Sequence, residues 1–328
     1  MTHSFTRRVL LAASVGLFAL TGMPGAAEAQ QQIRFSAVFS QQDIRAEMMQ
    51  QFADEIGDEF SYEGFYGATL FRQGTELVAL QRGNLEMGNI APQDIAEQLP
   101  EWSILTAAYL FRDADHLLTF FNSDAGQEMK TLAEERLGVH ILGPTYFGAR
   151  QVGLRGDRRI ETPADMAGIR LRMPGGDAWQ FLGEALGANP TPVAYAETYT
   201  ALQTGAIDGQ DNPLPNVQNM KFHEVMSQIV LTSHLVGFDV LTVSSQFWES
   251  LTPEQQETVQ TAADNAIAWS TQAHLDNEAE LVAYFTEQGL EIYEPDLDAF
   301  RTHAQEIYSN SSLAENWPEG MLERINSL

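Results

Sequence analysis

Apolar and polar positions change their period repeatedly along the chain, and these changes predict alternating strands and helices. Residues 33–38 alternate like a strand, whereas residues 43–56 carry apolar side chains at helical spacing. The same order returns with a helix at 74–82, a short strand at 85–87 and another strand at 139–142. The pattern therefore predicts an α/β fold.

A strand in the middle of the chain carries the first chemical signal. Residues 162–168 predict a short helix capped by Thr162, and a strand over 169–173 follows. Its alternation places Arg170 and Arg172 on the face opposite the apolar residues. Ligands bind at the carboxyl ends of strands in open α/β sheets, so we expect Arg172 to face a ligand.

Two segments of the chain resemble each other. Residues 79–86 and 201–208 both read as a helix end, a glycine and a strand. The glycine suits the left-handed conformation that ends many helices. This pattern leaves two interpretations open, a connection that is common in α/β proteins or a duplicated lobe.

Residues 253–287 predict one long helix with scarcely a breaker. Its length is about 50 Å at ~1.5 Å per residue. We expect a helix of this length to pack across two lobes, and about 300 residues after the leader also favour two lobes.

The N-terminus predicts export. Arg7 and Arg8 precede an apolar run at 9–20, and small residues follow at a cleavage site, so 1–29 reads as a signal peptide and the mature chain begins near Gln30. The run is shorter than the roughly 20 residues of a membrane helix. Paired arginines leave both the general and the twin-arginine export routes open.

Charge and composition exclude several partners. With 45 acidic and 18 basic residues, the net charge of -27 should repel nucleic acid and anionic lipid. The chain has no cysteine, which excludes disulfides and thiolate metal sites. We expect a periplasmic monomer that does not insert stably into a membrane.

Catalytic motifs are missing from the sequence. It has no H-E-x-x-H, G-x-S-x-G or P-loop, and its histidines are not at metal-ligand spacing. We expect neither an enzyme nor a metal or cofactor. Because catalytic triads assemble through space, a periplasmic hydrolase stays open as an alternative.

Three motifs carry a family resemblance: 171–174 (LRMP), 190–195 (PTPVAY) and 199–213 (YTALQTGAIDGQDNP). With them the chain resembles the substrate-binding proteins of tripartite ATP-independent periplasmic (TRAP) transporters. The resemblance implies a two-lobed protein with a mixed sheet in each lobe and crossover hinge strands. It also implies delivery of a small organic anion to the small and large membrane subunits of a permease. A sensor subunit for a signalling receptor is the alternative.

The same resemblance suggests lobe boundaries. Lobe one takes 30–148 and about 235–270. Lobe two takes about 149–234 and about 271–328, together with the helices that span both lobes.

Three polar residues match the anion-binding positions of this family. Arg172 matches the arginine that grips a carboxylate, and a planar guanidinium suits that task because it donates two parallel hydrogen bonds. Arg150 matches a second arginine and Asn212 a neighbouring asparagine. The alternatives are an ion pair for Arg172, an interlobe salt bridge for Arg150 and an Asx-turn for Asn212. We expect a positive cleft around Arg150, Arg170 and Arg172.

Aromatic residues are the next candidates. Tyr195 matches a position that packs on the ligand, although core packing explains it almost as well. Trp179 either walls the pocket or covers its helix. Phe238 and Asp239 are weaker candidates, with core burial favoured for Phe238.

Lobe one should determine specificity. Ala91 stands where the sialic-acid branch has a glutamate, which puts sialic acid in doubt. Phe39 and Gln93 are candidates, with Arg72 or Gln73 as further options. An apolar aromatic wall would suggest a monocarboxylate, a hydroxy acid or an aromatic acid, and a sulfonate stays open.

Overall fold

The computed structural model describes residues 30–328, and the predicted signal peptide lies outside the described residues. The strands are β1 (Gln31–Ser36), β2 (Phe60–Phe65), β3 (Met87–Ile90), β4 (Val139–Leu154), β5 (Arg170–Met173), β6 (Asn189–Pro192), β7 (Gly209–Pro213), β8 (Gln228–Ser244) and β9 (Glu291–Tyr293). The helices are α1 (Ile44–Ile56), α2 (Glu76–Gln81), α3 (Pro92–Ala96), α4 (Ala114–Asn122), α5 (Asp124–Leu137), α6 (Asp177–Ala185), α7 (Thr198–Thr204), α8 (Leu214–Asn219), α9 (Ser245–Ser250), α10 (Pro253–Glu287), α11 (Leu297–Ser309) and α12 (Met321–Asn326).

All nine strands belong to one mixed sheet. Their order is β2-β1-β3-β8-β4-β7-β5-β6, and β9 pairs with β8. We call the half with β1, β2 and β3 lobe one and the half with β5, β6 and β7 lobe two. The long strands β4 and β8 run antiparallel through both halves. The mixed sheet predicted for each lobe is thus one half of a continuous sheet, and the α/β prediction is confirmed.

The two long strands approach each other most closely at a pair of glycines. Gly148 pairs with Gly237. A Cβ on Gly237 would lie 2.6 Å from the carbonyl oxygen of Gly148, whose φ of +115° also disfavours a side chain. Register shifts flank this point in β4. Both positions therefore require glycine where the sheet passes from one lobe to the other.

Helix α10 confirms the long helix predicted from the sequence. Thr252 caps its N-terminus in a capping box with Gln255. The helix packs on α1 in lobe one and on α8 in lobe two. In its C-terminal third, Glu278 accepts a hydrogen bond of 2.7 Å from the backbone N–H of Ala149. The helix thereby braces the crossover strand as well as both lobes.

Each lobe has its own apolar core on the α10 side of the sheet. In lobe one, Phe35 and Phe52 pack with Val259 of α10. In lobe two, Phe222 packs with Phe285 of the same helix. A larger core on the other face draws on both lobes and includes the last two helices. The lobes are therefore joined by packing as well as by strands. No helix within 30–328 is both long and apolar enough to cross a membrane.

The repeated helix-glycine-strand joints have the predicted geometry. Gly83 follows α2 with φ +65°, and Gly205 follows α7 with φ +76°. The strands that come next, β3 and β7, lie in opposite lobes. In contrast, the helix predicted over 162–168 is only a 3-10 turn over Pro163–Met166, because the backbone leaves helical geometry at Ala167, with ψ 125°.

Candidate ligand-binding site

A cleft opens between the lobes beside the crossover strands. Loops, strand ends and the first turns of helices from both lobes supply its walls. The lining residues are Val38, Arg45, Gln73, Glu76, Asn89, Ala91, Asp94, Phe147, Arg150, Arg172, Pro174, Trp179, Tyr195, Asn212, Asn216 and Asp239.

Arg172 lies near the carboxyl end of β5, as predicted. Its neighbours Leu171 and Met173 are buried in the core, and Arg172 itself is only 1 % exposed. Its Nε donates a hydrogen bond of 2.8 Å to the carbonyl oxygen of Val193. Its Nη2 is buried and has no hydrogen-bond partner among the described residues. One N–H edge of this guanidinium is thus available inside the cleft.

No carboxylate of the described residues forms an ion pair with Arg172. Burial lowers its pKa to about 10, Asp211 opposes this shift and Arg150 adds to it. The guanidinium therefore stays charged at neutral pH. A buried cation without a paired anion is costly, and an anionic ligand would supply the missing partner.

Arg150 is paired differently. Its Nε and Nη2 donate to the carboxylate of Asp211 at 2.7 and 2.8 Å. His234 also contacts this carboxylate through Nε2 at 3.0 Å. Burial favours a higher pKa for Asp211, but Arg150 and His234 hold that pKa well below its usual range. The salt bridge thus lies within the crossover region, and Arg150 reaches the cleft from a fixed position.

The aromatic and amide candidates of lobe two line the cleft as well. The Trp179 ring stacks on Arg150, with 4.8 Å between the ring centre and the guanidinium carbon. Asn216 donates to the hydroxyl of Tyr195 at 3.0 Å, and its own Oδ1 is buried without a partner in the described part of the chain. Asn212 donates to Gln210 at 2.6 Å. Trp179, Tyr195 and Asn212 therefore line the cleft, and their contact with a ligand stays a prediction.

Arg170 does not lie in the cleft, which corrects the expectation that it adds positive charge there. It shares a strand face with Arg172 but lies one full pleat earlier. Its guanidinium bonds Asp208 at 2.9 Å and the backbone of the turn that follows α7. It belongs to an exposed ion pair at the opposite end of β5.

The lobe-one wall contains a buried network centred on Arg45. This guanidinium bonds Asp43 at 2.9 Å and Asp239 at 3.0 Å, and the rings of Phe39 and Phe147 lie on its two sides at 4.3 and 4.2 Å. Its positive charge is therefore balanced inside the protein.

Two other carboxyl groups of lobe one have no such balance. Glu76 is 3 % exposed, and its Oε2 accepts a hydrogen bond of 3.0 Å from the N–H of Thr75. Its Oε1 is buried and unpartnered among the described residues. Burial raises the pKa of Glu76 to about 7, and burial together with Glu76 raises the pKa of Asp94 to about 8. The expected positive cleft is thus present on one wall only.

Contacts between the lobes close the mouth of the cleft. The backbone N–H of Tyr195 donates to Gln73 Oε1 at 2.8 Å. Glu97 accepts from the first two N–H groups of α6, with 3.2 Å to Ala178. A carboxylate at a helix N-terminus is favoured by the helix dipole. The structure therefore has the lobes held together at their tips.

Only some of the lobe-one candidates line the cleft. Ala91 lines the cleft, and so does Gln73, whereas Arg72 is exposed near its outer rim. Gln93 is buried behind the cleft without lining it. Phe39 contacts Arg45 and does not reach the cavity.

Phe238 belongs to the core, the alternative that the sequence favoured. Its ring packs edge-on against Phe111 at 5.8 Å and Phe121 at 5.6 Å. It is absent from the cleft lining.

Sequence reasoning missed five polar lining residues: Arg45, Glu76, Asn89, Asp94 and Asn216. They come from separate elements and share no motif. The sequence held one signal for Arg45. Asp43 is the N-cap of a helix and Arg45 follows two residues later, which places an acid and a base side by side at the start of α1. Carboxyl and amide groups from lobe one face the cavity, so this wall is more polar than the apolar aromatic wall considered from the sequence.

Comparison with known proteins agrees with this fold. Residues 35–314 match the model of the bacterial extracellular solute-binding proteins, family 7. The chain therefore belongs to this family, and it is a substrate-binding protein of the TRAP type.

Several relatives are known with their ligands. A TRAP periplasmic solute-binding protein of Roseobacter denitrificans, with bound 3-deoxy-D-manno-oct-2-ulosonic acid (KDO), is 47% identical, with a TM-score of 0.90 over 91% of this chain and 99% of that one. One from Sulfitobacter, with β-D-galacturonate, is 26% identical, with a TM-score of 0.83 over 90% and 98%. A sialic acid-binding periplasmic protein of Vibrio cholerae is 33% identical over 64% of this chain and 65% of its own length.

Proposed function

We propose that this protein captures a sugar acid, of which KDO is the leading example, and delivers it to the small and large membrane subunits of a TRAP permease. The observation that carries the proposal is the buried, unpartnered Nη2 of Arg172 in the cleft. The carboxylate of the ligand supplies two acceptor oxygens for this guanidinium. Arg150 and Asn212 flank the same oxygens.

The relatives support this choice of ligand. The Roseobacter relative holds KDO, and the Sulfitobacter relative holds galacturonate. Both ligands combine one carboxylate with several hydroxyl groups. The lining residues Glu76, Asn89, Asp94 and Asn216 offer polar atoms for those hydroxyls.

Capture follows a hinge mechanism in this proposal. The lobes, divided as expected near residues 148 and 235, open about the Gly148–Gly237 crossing and close when the ligand bridges both walls. Gln73 and Glu97 hold the closed form. The protein is exported through residues 1–29, cleaved near Ala29, and acts in the periplasm as a monomer.

The ligand leaves unchanged, because the protein serves as a carrier and not as an enzyme. Mass spectrometry of material released by unfolding the natively purified protein tests this. We expect one intact sugar acid. A hydrolysed product, or a ligand without an acidic group, would contradict the proposal.

Delivery has its own test. Vesicles with the reconstituted permease subunits should accumulate labelled KDO only when this protein is added. Accumulation without it would remove the permease from the proposal and favour a sensor role.

A further inference from the structure

The unbalanced carboxyl groups of lobe one need an explanation, because burying an acceptor without a donor destabilises a protein. Glu76 Oε1 is such an acceptor. Neither Glu76 nor Asp94 forms an ion pair with a lysine or arginine among residues 30–328. The two nearest networks, around Arg45 and Arg150, have their own carboxylates. The fold alone therefore gives these two acids no partner.

Their position in the cleft indicates the missing partner. Glu76 begins α2 and Asp94 lies in α3, and both line the wall that faces the arginines of lobe two. Burial raises the pKa of both carboxyl groups, and the charge of Glu76 raises the pKa of Asp94 further. A second anionic group on the ligand would add to this repulsion. A neutral hydroxyl group would instead donate a hydrogen bond to the open oxygen.

The opposite wall offers one more acceptor of the same kind. Asn216 is 4 % exposed, its amide nitrogen is used by Tyr195, and its Oδ1 is unpartnered within the described chain. An amide oxygen accepts from hydroxyls and gains nothing from a carboxylate. Each wall thus has a hydrogen-bond acceptor that a hydroxyl group of the ligand could satisfy.

We propose that Glu76 and Asp94 form a hydroxyl-binding subsite that selects polyhydroxylated monocarboxylates and rejects dicarboxylates. The inference rests on the proposed function, since Arg172 must first hold the single carboxylate. The selectivity follows from the polarity of the cleft, with a cationic end for one anionic group and an acidic end for neutral donors.

Three ligands with eight carbons separate these effects in calorimetric titrations. KDO carries one carboxylate and many hydroxyls, 2-oxooctanoate carries the carboxylate alone, and 2-oxosuberate carries a second carboxylate. The wild-type protein should bind KDO at least 100-fold more tightly than 2-oxooctanoate. At pH 9, above the pKa of about 7 for Glu76 and about 8 for Asp94, both carboxyl groups are ionised, and the protein should bind 2-oxosuberate more weakly still, by about tenfold, because of like-charge repulsion.

Variants assign the effect to the subsite. Glu76→Gln keeps the size of the side chain. It should lower the affinity for KDO about tenfold and leave the affinity for 2-oxooctanoate within twofold of wild type. It should also reduce the difference in affinity between 2-oxooctanoate and 2-oxosuberate. Glu135→Gln, at an exposed position outside the cleft, removes the same charge and should change nothing. Circular dichroism checks that each variant is folded.

The outcomes distinguish this inference from the proposed function. Unchanged KDO affinity in folded Glu76→Gln, or equal binding of the two oxo acids without hydroxyls, would overturn the inference alone. Failure of the wild-type protein to bind KDO would contradict the KDO assignment as well.

Discussion

The two walls of the cleft balance their charges in opposite ways. In lobe two, Arg150 is paired with Asp211, whereas Arg172 has no carboxylate partner among residues 30–328. In lobe one, Arg45 is paired with two aspartates, whereas Glu76 has no cationic partner in the same part of the chain. Each wall therefore combines one balanced ion pair, which fixes geometry, with one unbalanced charge, which faces the cavity.

This contrast explains how an acidic protein can bind an anion. The net charge of -27 describes the whole surface, but affinity depends on the few groups that touch the ligand. In the proposed function, the paired arginines hold the walls in place and the unpaired groups recognise the ligand. Single substitutions can remove one of these groups at a time.

Breaking the balanced pair of lobe two should have the largest effect. Asp211→Asn leaves Arg150 and His234 buried without their anion, and we expect the free energy of unfolding of the ligand-free protein to fall by about 3 kcal/mol. Urea denaturation measures this. The matched control is Asp208→Asn, which breaks the exposed pair with Arg170 and should cost less than about 1 kcal/mol. Equal losses in both variants would contradict a structural role for the buried pair.

Replacing the guanidinium of Arg172 should have the second largest effect. Arg172→Lys keeps the charge but loses one of two parallel charge-assisted bonds, and we expect KDO affinity to fall about 10- to 100-fold. Calorimetry measures the change. Arg170→Lys lies on the same face of β5 outside the cleft and should leave affinity unaltered. An unchanged affinity in Arg172→Lys would remove the clamp from the account.

Loosening the contact between the walls should have a smaller effect. Glu97→Ala removes the carboxylate that accepts from the start of α6, so the closed form becomes less favoured and KDO affinity should fall a few-fold. Faster ligand release in stopped-flow experiments should account for this loss. Glu184→Ala removes an exposed acid from α6 itself and serves as the control. Slower binding with unchanged release would argue against a closing contact.

The last expected effect is a pH dependence of stability. The pKa of Glu76 is raised from 4.5 to about 7, so the folded protein keeps a proton that the unfolded chain releases. The stabilisation is complete below pH 4.5 and is lost as the pH rises to about 7. Relative to Glu76→Gln, the ligand-free wild type should therefore lose up to about 3 kcal/mol across this window. Parallel pH profiles of the two proteins in urea denaturation would refute the shift.

The sequence predicts the lobe-two wall far better than the lobe-one wall. Arg172, Tyr195 and Asn212 lie in the three motifs that resemble the TRAP family, so the resemblance indicates their place, whereas the strand pattern alone indicates only Arg172. Glu76 and Asp94 lie on different short helices with no motif. Only the folded chain brings them together, and burial, which sets their protonation, cannot be read from their neighbours in sequence.

Periodicity has a similar limit. It predicts α10 because a long helix leaves many turns of consistent pattern. It assigns Arg170 and Arg172 to one face of β5 correctly, yet it does not show that one pleat separates an exposed ion pair from the cleft. The single nine-stranded sheet also escapes prediction, because the pairing of β4 with β8 joins residues far apart in the chain.

A crystal structure of the complex with KDO tests the central claim most directly. The account predicts the carboxylate within hydrogen-bond distance of Arg172 Nη2, with hydroxyl groups on Glu76 Oε1 and near Asp94. A carboxylate placed on the lobe-one wall, or hydroxyls that leave Glu76 Oε1 without a donor, would contradict it.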